Sequence, residues 1–366
     1  MRKIIILSML VLASFMVVIA MKWNRFDHSI ISNNGVKTSE SVRIDSVINP
    51  AIMSNELPEF RNFIFNLKEE KDILFDENGI WKWRVIDNRL WVVGSTDQSL
   101  YAIDDNGKVL KKWGQLGDAP WENREISSFD IKNEKFYIVD RDKSEFKIIE
   151  NEKDLVLYEK PQLPFWSGTF LTENLITSVS ENGKTFEFLT MDLESGKTTK
   201  IDIPSLLGYD EAYPNMNIAY EGYFVSNGQG YCAYVCLKTG TFFIIESSDK
   251  KARPYNTIDK TDPPKISVRK MGAINFFIRE PDHNVNYSAC IDKNNLYIIS
   301  TILFERSENL ALDIYNLKNG SYVGSAQIPK FNDQYPVDIT KSIDGNDLYV
   351  LYENQDIKKY TMVKNE

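Results

Sequence analysis

The sequence predicts an all-β chain built as a six-bladed β-propeller, with seven blades as the alternative count, preceded by an N-terminal hydrophobic helix. Three observations carry this. The composition favours strands, with 18 Tyr and 20 Phe in 366 residues, and aromatic residues suit pleated, half-buried surfaces. A strand-like unit recurs: Arg89-Leu-Trp-Val-Val93, Lys135-Phe-Tyr-Ile-Val139, Asn174-Leu-Ile-Thr-Ser178, Gly222-Tyr-Phe-Val-Ser226, Asn295-Leu-Tyr-Ile-Ile299 and Asp347-Leu-Tyr-Val-Leu351. Glycine-containing turns recur as well, at Asp104 to Lys108, Asp192 to Lys197, Leu237 to Gly240 and Asn316 to Gly320.

The recurring run reads as the second strand of each unit, and the glycine turns as the links from third to fourth strand, where glycine supplies the positive φ of a tight hairpin. The first and last intervals are 46 and 52 residues, and one stretches to 73. Four short strands at such a period describe a propeller blade. The last unit, from Val337 to Met362, shows only three strands. A strand near Ile73-Leu-Phe75 is therefore expected to supply the fourth, protecting an edge that would otherwise recruit other chains.

Ahead of the repeats, Arg2 and Lys3 precede an uncharged apolar run from Ile4 to Met21. A basic start followed by such a run is an export signal, and its length nearly spans the hydrocarbon of a bilayer as a helix. Val18-Ile19-Ala20 is the best approximation to a cleavage site, and no cysteine follows that would accept a lipid. The chain is expected to be exported, either anchored on the extracytoplasmic side or secreted or periplasmic after cleavage. Residues 1–21 form the signal peptide or anchor, 22–58 a polar linker and 59–366 the propeller domain. Residues 59–71 are expected as a short helix.

The formal charge is −9 with no basic stripe, which argues against nucleic acid as a partner. Cys232 and Cys236, four residues apart in an extended run, stand roughly 13 Å apart, beyond disulfide reach. Together with Cys290 they read as buried thiols. There are two histidines, His28 and His283, and no GxSxG, so neither a zinc site nor a nucleophile triad assembles.

Gly114-Gln-Leu-Gly117-Asp-Ala-Pro120, Ile126-Ser-Ser-Phe-Asp-Ile131 and Lys135-Phe-Tyr-Ile-Val-Asp140, continuing to Ile149, resemble an NHL-type repeat of the wider TolB-like six-bladed propellers. The match covers about 40 residues in one blade, and Asp142, Lys143 and Ser144 replace the family's polar turn. The resemblance implies architecture; propellers host binders, scaffolds and enzymes alike. Asp104-Asp-Asn-Gly107-Lys108 with Trp113 is similar to the docking motif of quinoprotein propellers. It occurs once with its Trp, and no cofactor is expected beyond calcium or another divalent cation.

Four loops that enter blades, at 117–124, 161–166, 206–214 and 330–336, each place an aromatic beside or near a proline. From them the candidate ligand-binding residues are Trp121, Arg124, Trp166, Tyr209, Tyr213 and Tyr335, since converging rings with a few polar groups make a binding mouth. Asp130, Asp292 and Asp338 recur near the ends of first strands and are the candidate metal carboxylates. The turn from Asp140 to Glu145 alternates oxygen ligands but lacks the central glycine of a calcium loop. Residues 247–286, rich in proline and basic side chains, read as an elaborated loop over the channel or part of a seventh blade. The expected function is non-catalytic binding or scaffolding of a protein, peptide or small ligand at the loop-bearing mouth. The alternative is a metal-dependent hydrolase or lyase of the lactonase-like propeller kind.

Overall fold

The computed structural model describes residues 57–365, apart from 76–78, 151–153, 160–164, 182–185, 210–214, 272–273 and 302–308. All of these lie in the unit Val42–Glu366. The apolar run at 4–21, most of the linker and Tyr213 fall outside the described residues. Among them, six four-stranded antiparallel sheets follow one another. Blade 1 is β2 (Ile80–Ile86), β3 (Arg89–Gly94), β4 (Leu100–Ile103) and β5 (Val109–Trp113). Blade 2 is β6 (Ile126–Lys132), β7 (Lys135–Asp140), β8 (Glu145–Glu150) and β9 (Asp154–Glu159). Blade 3 is β10 (Phe165–Thr172), β11 (Leu175–Glu181), β12 (Phe186–Asp192) and β13 (Thr198–Asp202), leading through α1 (Ile203–Leu206) and α2 (Met216–Ala219) into blade 4. Blade 4 is β14 (Gly222–Ser226), β15 (Tyr231–Cys236), β16 (Thr241–Glu246) and β17 (Ala252–Asn256). A two-stranded hairpin, β18 (Lys265–Met271) and β19 (Ile274–Glu280), precedes blade 5, which is β20 (Asn286–Ile291), β21 (Asn295–Ser300), β22 (Leu310–Asn316) and β23 (Tyr322–Ile328).

Blade 6 combines β24 (Pro336–Lys341), β25 (Asp347–Tyr352) and β26 (Ile357–Lys364) with β1 (Phe65–Ile73), the first strand among the described residues. β1 runs antiparallel to β26 from Phe65 opposite Lys364 to Ile73 opposite Ile357. The closing strand thus ends where the sequence placed it but begins eight residues earlier. The helix expected over 59–71 is instead extended chain, because Leu67, Lys71 and their neighbours gain ladder partners that an isolated helix of that length lacks. First strands touch in the order β2, β6, β10, β14, β20, β24 and back to β2. The count is six, and residues 247–286 supply the outer strand of blade 4 and a hairpin rather than a seventh blade.

Each joint between neighbouring blades holds one apolar cluster. Trp91, Trp113 and Phe136 fill the joint of blades 1 and 2, with Trp113 stacked on Phe136 at 4.1 Å. Phe146 and Phe170 fill the next, and Phe188, Phe224, Tyr234 and Phe243 the one after. A single blade cannot bury both faces, so the ring supplies a core that no blade has alone. Cys232, Cys236 and Cys290 are buried free thiols.

The run at Gly222 departs from expectation. It is the innermost strand of blade 4, and β15 is the second; the turn from Leu237 to Gly240 accordingly links second to third strand. Burial shows why. β3, β7, β15, β21 and β25 each have five buried residues after a more exposed first, whereas β14 alternates buried and half-buried. The short helices α1 and α2 lengthen the entry to blade 4 and displace the repeat.

Closure also draws on a buried ion cluster. Arg61 donates from Nε to Asp313 Oδ1 at 2.9 Å, from NH2 to Asp313 Oδ2 at 2.9 Å and to Ser300 Oγ at 2.9 Å, and also meets Asp259. Ser325 Oγ donates to Asp313 at 2.6 Å. Burial pushes the Asp313 carboxyl up, against the opposing pull of Arg61. Beyond Arg61, the Asn62 amide donates to Tyr322 OH at 2.9 Å and Asn62 O accepts from the Ser325 amide at 2.8 Å. Gly324 leaves room for this crossing, since a Cβ there would lie 2.5 Å from Ile64 Cγ1. Further along, Lys358 of β26 sits 2.5 Å from Glu69 and 2.8 Å from Asp72 of β1.

A second buried pair sits in blade 2. Lys147 Nζ lies 3.6 Å from Asp140 Oδ2, both side chains fully enclosed. Asp140 also accepts from the amides of Arg124 at 2.8 Å, Glu125 at 3.1 Å and Lys143 at 3.3 Å. The calcium-like turn is therefore organised by its own backbone. Burial pulls Lys147 down to about 8.

The closure and the buried lysine each have a measurable consequence. Arg61→Ala strands two buried carboxylates and should cost about 3–5 kcal/mol in urea unfolding; a loss below about 1 kcal/mol contradicts the clamp. Because folded Lys147 holds fewer protons than the unfolded chain between pH 8 and 10.5, stability should rise with pH across that window. Relative to Lys147→Met, which cannot titrate, wild type should gain up to about 3 kcal/mol; parallel pH profiles for the two proteins would refute the assignment.

Candidate functional site

The six first strands run in the same sense, so all of them start on one face of the ring, the entry face. There the first strands begin, and in five of the six blades they begin with a β-bulge. The ladder skips one residue between Ile80 and Lys82, Ile126 and Ser128, Phe165 and Ser167, Asn286 and Ser288, and Pro336 and Asp338. The skipped residues are Trp81, Ser127, Trp166, Tyr287 and Val337. β14 lacks the bulge, and its equivalent residue, Tyr223, pairs with Val235. Bulges re-aim a side chain out of the ladder. Of the five, Trp166 and Tyr287 remain 48% and 36% exposed, whereas Trp81 and Val337 pack against the joints of blades 1 and 2 and of blades 6 and 1.

In four of these blades the residue after the bulge, Ser128, Ser167, Ser288 or Asp338, stitches its blade to a neighbour. Ser167 Oγ accepts from the Phe224 amide at 3.2 Å and Ser288 Oγ from the Ile339 amide at 3.2 Å. Ser128 Oγ lies 3.1 Å from Thr169 Oγ1. Trp81 Nε1 donates to Ile126 O at 3.0 Å, and Trp83 Nε1 to Asp338 Oδ2 at 3.0 Å. Asp338 also accepts from Ser288 Oγ and from its neighbouring Ile339 amide at 2.9 Å. Its burial pushes the carboxyl up, partly offset by Lys82.

Arg84 crosses the channel. From β2 its NH1 donates to Phe129 O of blade 2 at 3.0 Å and its NH2 to Ser226 O of blade 4, the opposite blade, at 2.6 Å. Asp130 lies 3.6 Å from Arg84 and 3.9 Å from Lys132. Lys132, which also donates to Gly228 O, is pulled down by burial. Gly228 is required there: its φ is +65°, and a Cβ would lie 2.1 Å from Asp130 Oδ2. Around this crossing is a cavity of about 100 Å³ whose lining includes Lys82, Arg84, Ser128, Tyr223, Asp338 and Lys341.

The expected site residues divide on this framework. Trp166 stands at the mouth. Trp121 packs into the joint of blades 1 and 2, and Tyr335 into that of blades 5 and 6, with Lys330 Nζ 4.1 Å from its ring centre. Tyr209 packs on the joint of blades 3 and 4, its hydroxyl 3.2 Å from that of Tyr220. Arg124 is held by Asp118 in two bonds of 2.6 and 2.7 Å. The three carboxylates lie at different depths: Asp338 is the third residue of β24, Asp130 the fifth of β6, and Asp292 follows β20. Asp292 accepts from the amides of Asn294 and Asn295 at 2.8 Å and from Tyr297 OH at 2.6 Å. Among the described residues no three His, Cys, Asp or Glu side chains converge as a metal site. Tyr287, Tyr223, Lys82 and Arg84 escaped the sequence reading. Their common signal is a position at the start of a first strand, which aligning second strands does not expose.

Replacing Arg84 by Met should cost about 2–3 kcal/mol, since it leaves two buried carbonyls unpaired. Arg84→Lys should recover little, because an ammonium lacks the planar fork that reaches two blades. Wild-type stability of the Lys variant in urea unfolding would show that the crossing does not hold the ring.

No family model matches the chain, and no curated protein matches it. Among solved structures it is similar to a member of the DUF4221 family from Bacteroides vulgatus, at TM-score 0.53 and 12% identity over 84% of this chain and 100% of that one. It is also similar to a catalytically inactive virginiamycin B lyase from Staphylococcus aureus crystallised with quinupristin, at TM-score 0.48 and 12% identity over 82% and 100%. A third likeness is to the β-propeller domain of Cps50 (Swd1) from Myceliophthora thermophila, at TM-score 0.43 and 10% identity over 81% and 99%. At 12% identity the likeness to the DUF4221 member concerns the fold alone, and the ring of six four-stranded sheets makes the chain a six-bladed β-propeller.

Proposed function

We propose that this protein is an exported, non-catalytic binding propeller of the NHL-repeat or TolB-like kind that holds a small ligand or peptide at its entry mouth. The observation that carries the reading is the exposure of Trp166 and Tyr287 on bulged strand starts above a channel crossed by Arg84. Bulges cost ladder bonds, and at Trp166 and Tyr287 what they yield is a large ring turned to solvent. Rings offer large contact area at low entropy cost, and a channel crossed at depth makes the mouth a basin rather than a passage. The basic start and apolar run of the N-terminal segment support export, and the blade 2 motif supports the family kinship. A metal-dependent hydrolase would require Asp130, Asp292 and Asp338 to turn toward one point, away from the donors each now engages.

A thermal-shift screen of the full chain against short peptides, oligosaccharides and small aromatic compounds tests the reading. Compounds that raise the melting midpoint should bind the Trp166→Ala, Tyr287→Ala double variant about 10–100-fold more weakly. Equal binding by the double variant would place their site elsewhere.

A further inference from the structure

The throat beneath the mouth holds a cation outside any direct ion pair and an enclosed phenol hydroxyl that lacks a well-formed hydrogen bond. Lys82 extends from blade 1 across the channel, its Nζ 5.8 Å from the ring centre of Tyr223 in blade 4. It makes no ion pair or hydrogen bond with any described residue. Asp338 attracts it but already accepts from Ser288, Trp83 and the Ile339 amide. The Tyr223 hydroxyl is enclosed beside the Ser288 side chain, close enough to feel it but without a hydrogen bond of ordinary geometry. An enclosed hydroxyl without such a bond is uncommon and calls for an explanation. Both groups line the cavity of about 100 Å³. Around it Arg84 and Lys132 share Asp130, at 3.6 and 3.9 Å, and Lys341 lies 3.6 Å from Asp292. Lys82 is thus the lining cation outside a direct ion pair, facing only the already engaged Asp338, and it is the group that an anion can meet.

The size and donors of the throat narrow the class. Lys82 and Tyr223 offer an ammonium and a phenol, the pair that two carboxylate oxygens accept from in charge-assisted bonds. A phosphate dianion would carry more charge toward Asp338 and require more donors than these two. Resting on the mouth reading, we propose that the throat between Lys82 and Tyr223 receives the carboxylate of a monoanionic ligand whose apolar remainder lies against Trp166 and Tyr287.

The test uses the full chain with acetate, 4-fluorophenylacetate and the neutral 4-fluorophenylacetamide, following the fluorinated probes by ¹⁹F line broadening. The acid should bind at least about tenfold tighter than the amide. Lys82→Met should weaken the acid about 10–100-fold and erase that preference. Tyr223→Phe should weaken the acid about 3–10-fold while keeping the melting midpoint at or above wild type, because the removed hydroxyl has no well-formed hydrogen bond to lose. Equal binding of acid and amide, unchanged acid binding in Lys82→Met, or no binding of either acetate or the fluorinated acid at high millimolar concentration overturns the proposal. If the Trp166→Ala, Tyr287→Ala variant loses both fluorinated probes while Lys82→Met loses neither, the throat assignment falls and the mouth stands. If Lys82→Met loses the acid and the double variant loses nothing, the throat stands and the mouth reading falls.

Discussion

The pairing of β1 with β26 is the constraint on which the rest of the structure depends. A ring of blades has one joint that the chain cannot make in passing, and in this protein it is made between residues almost three hundred positions apart. Without β1, blade 6 would show the row of unpaired amides and carbonyls along β26 to solvent. The side chains around the joint show how it is secured. Lys358, itself 3% exposed at its side chain, faces Glu69 and Asp72 across the ladder. Arg61, just before the strand, is sunk among Asp259, Asp313 and Ser300 of blades 4 and 5. The incoming chain is thus fastened to two adjacent joints, so that an outward hinge at one is resisted at the other. Buried ion pairs are weak evidence for net stability. Their directional demands make them suited to fixing which strand closes the ring.

From closure follows the geometry of the channel. Six first strands held at fixed angles bring their starts together on one face, and small shifts of register there decide what that face presents. The bulges at Trp81, Ser127, Trp166, Tyr287 and Val337 are such shifts, repeated around the pseudo-symmetric ring. The serine or aspartate that follows four of the bulges is then placed at the joint with another blade, where Ser167 and Ser288 take up amides of the next first strand. Arg84 completes the arrangement by joining blade 1 to blades 2 and 4. The same constraint that closes the ring therefore separates an exposed aromatic rim from a polar, enclosed throat.

Much of the architecture was legible in the sequence because second strands are buried on both sides and read as continuous apolar runs. Leu90 to Val93, Phe136 to Val139 and Leu348 to Leu351 are of this kind, and they set the period and the blade count. Blade 4 misled because Gly222 to Ser226 carries the same aromatic and β-branched mix in an innermost strand. The true second strand, with two cysteines and an alanine, looks less like its equivalents. The closing strand was anticipated from the three-stranded last unit, but its charged stretch from Lys68 to Asp72 resembled a solvated helix. Those charges meet partners on β26 that lie at the other end of the chain. Site residues were the least legible. Trp121, Tyr209 and Tyr335 have the composition of a binding mouth and the position of inter-blade packing, a difference that only the direction of the side chain decides. Arg61 and Lys82 carry no local signal, since their roles arise from groups in other blades.

Amide hydrogen exchange of the full chain measures the closure most directly, because exchange reports which segments open and at what cost. If β1 closes the ring, peptides covering residues 65–73 and 357–364 should exchange as slowly as the second strands at 135–140 and 295–300. They should also lose protection together with those strands in one cooperative step as urea is added. Rapid exchange at 65–73 with slow exchange at 357–364 would mean that the last blade stands without its N-terminal strand, and closure of the ring by β1 would be contradicted.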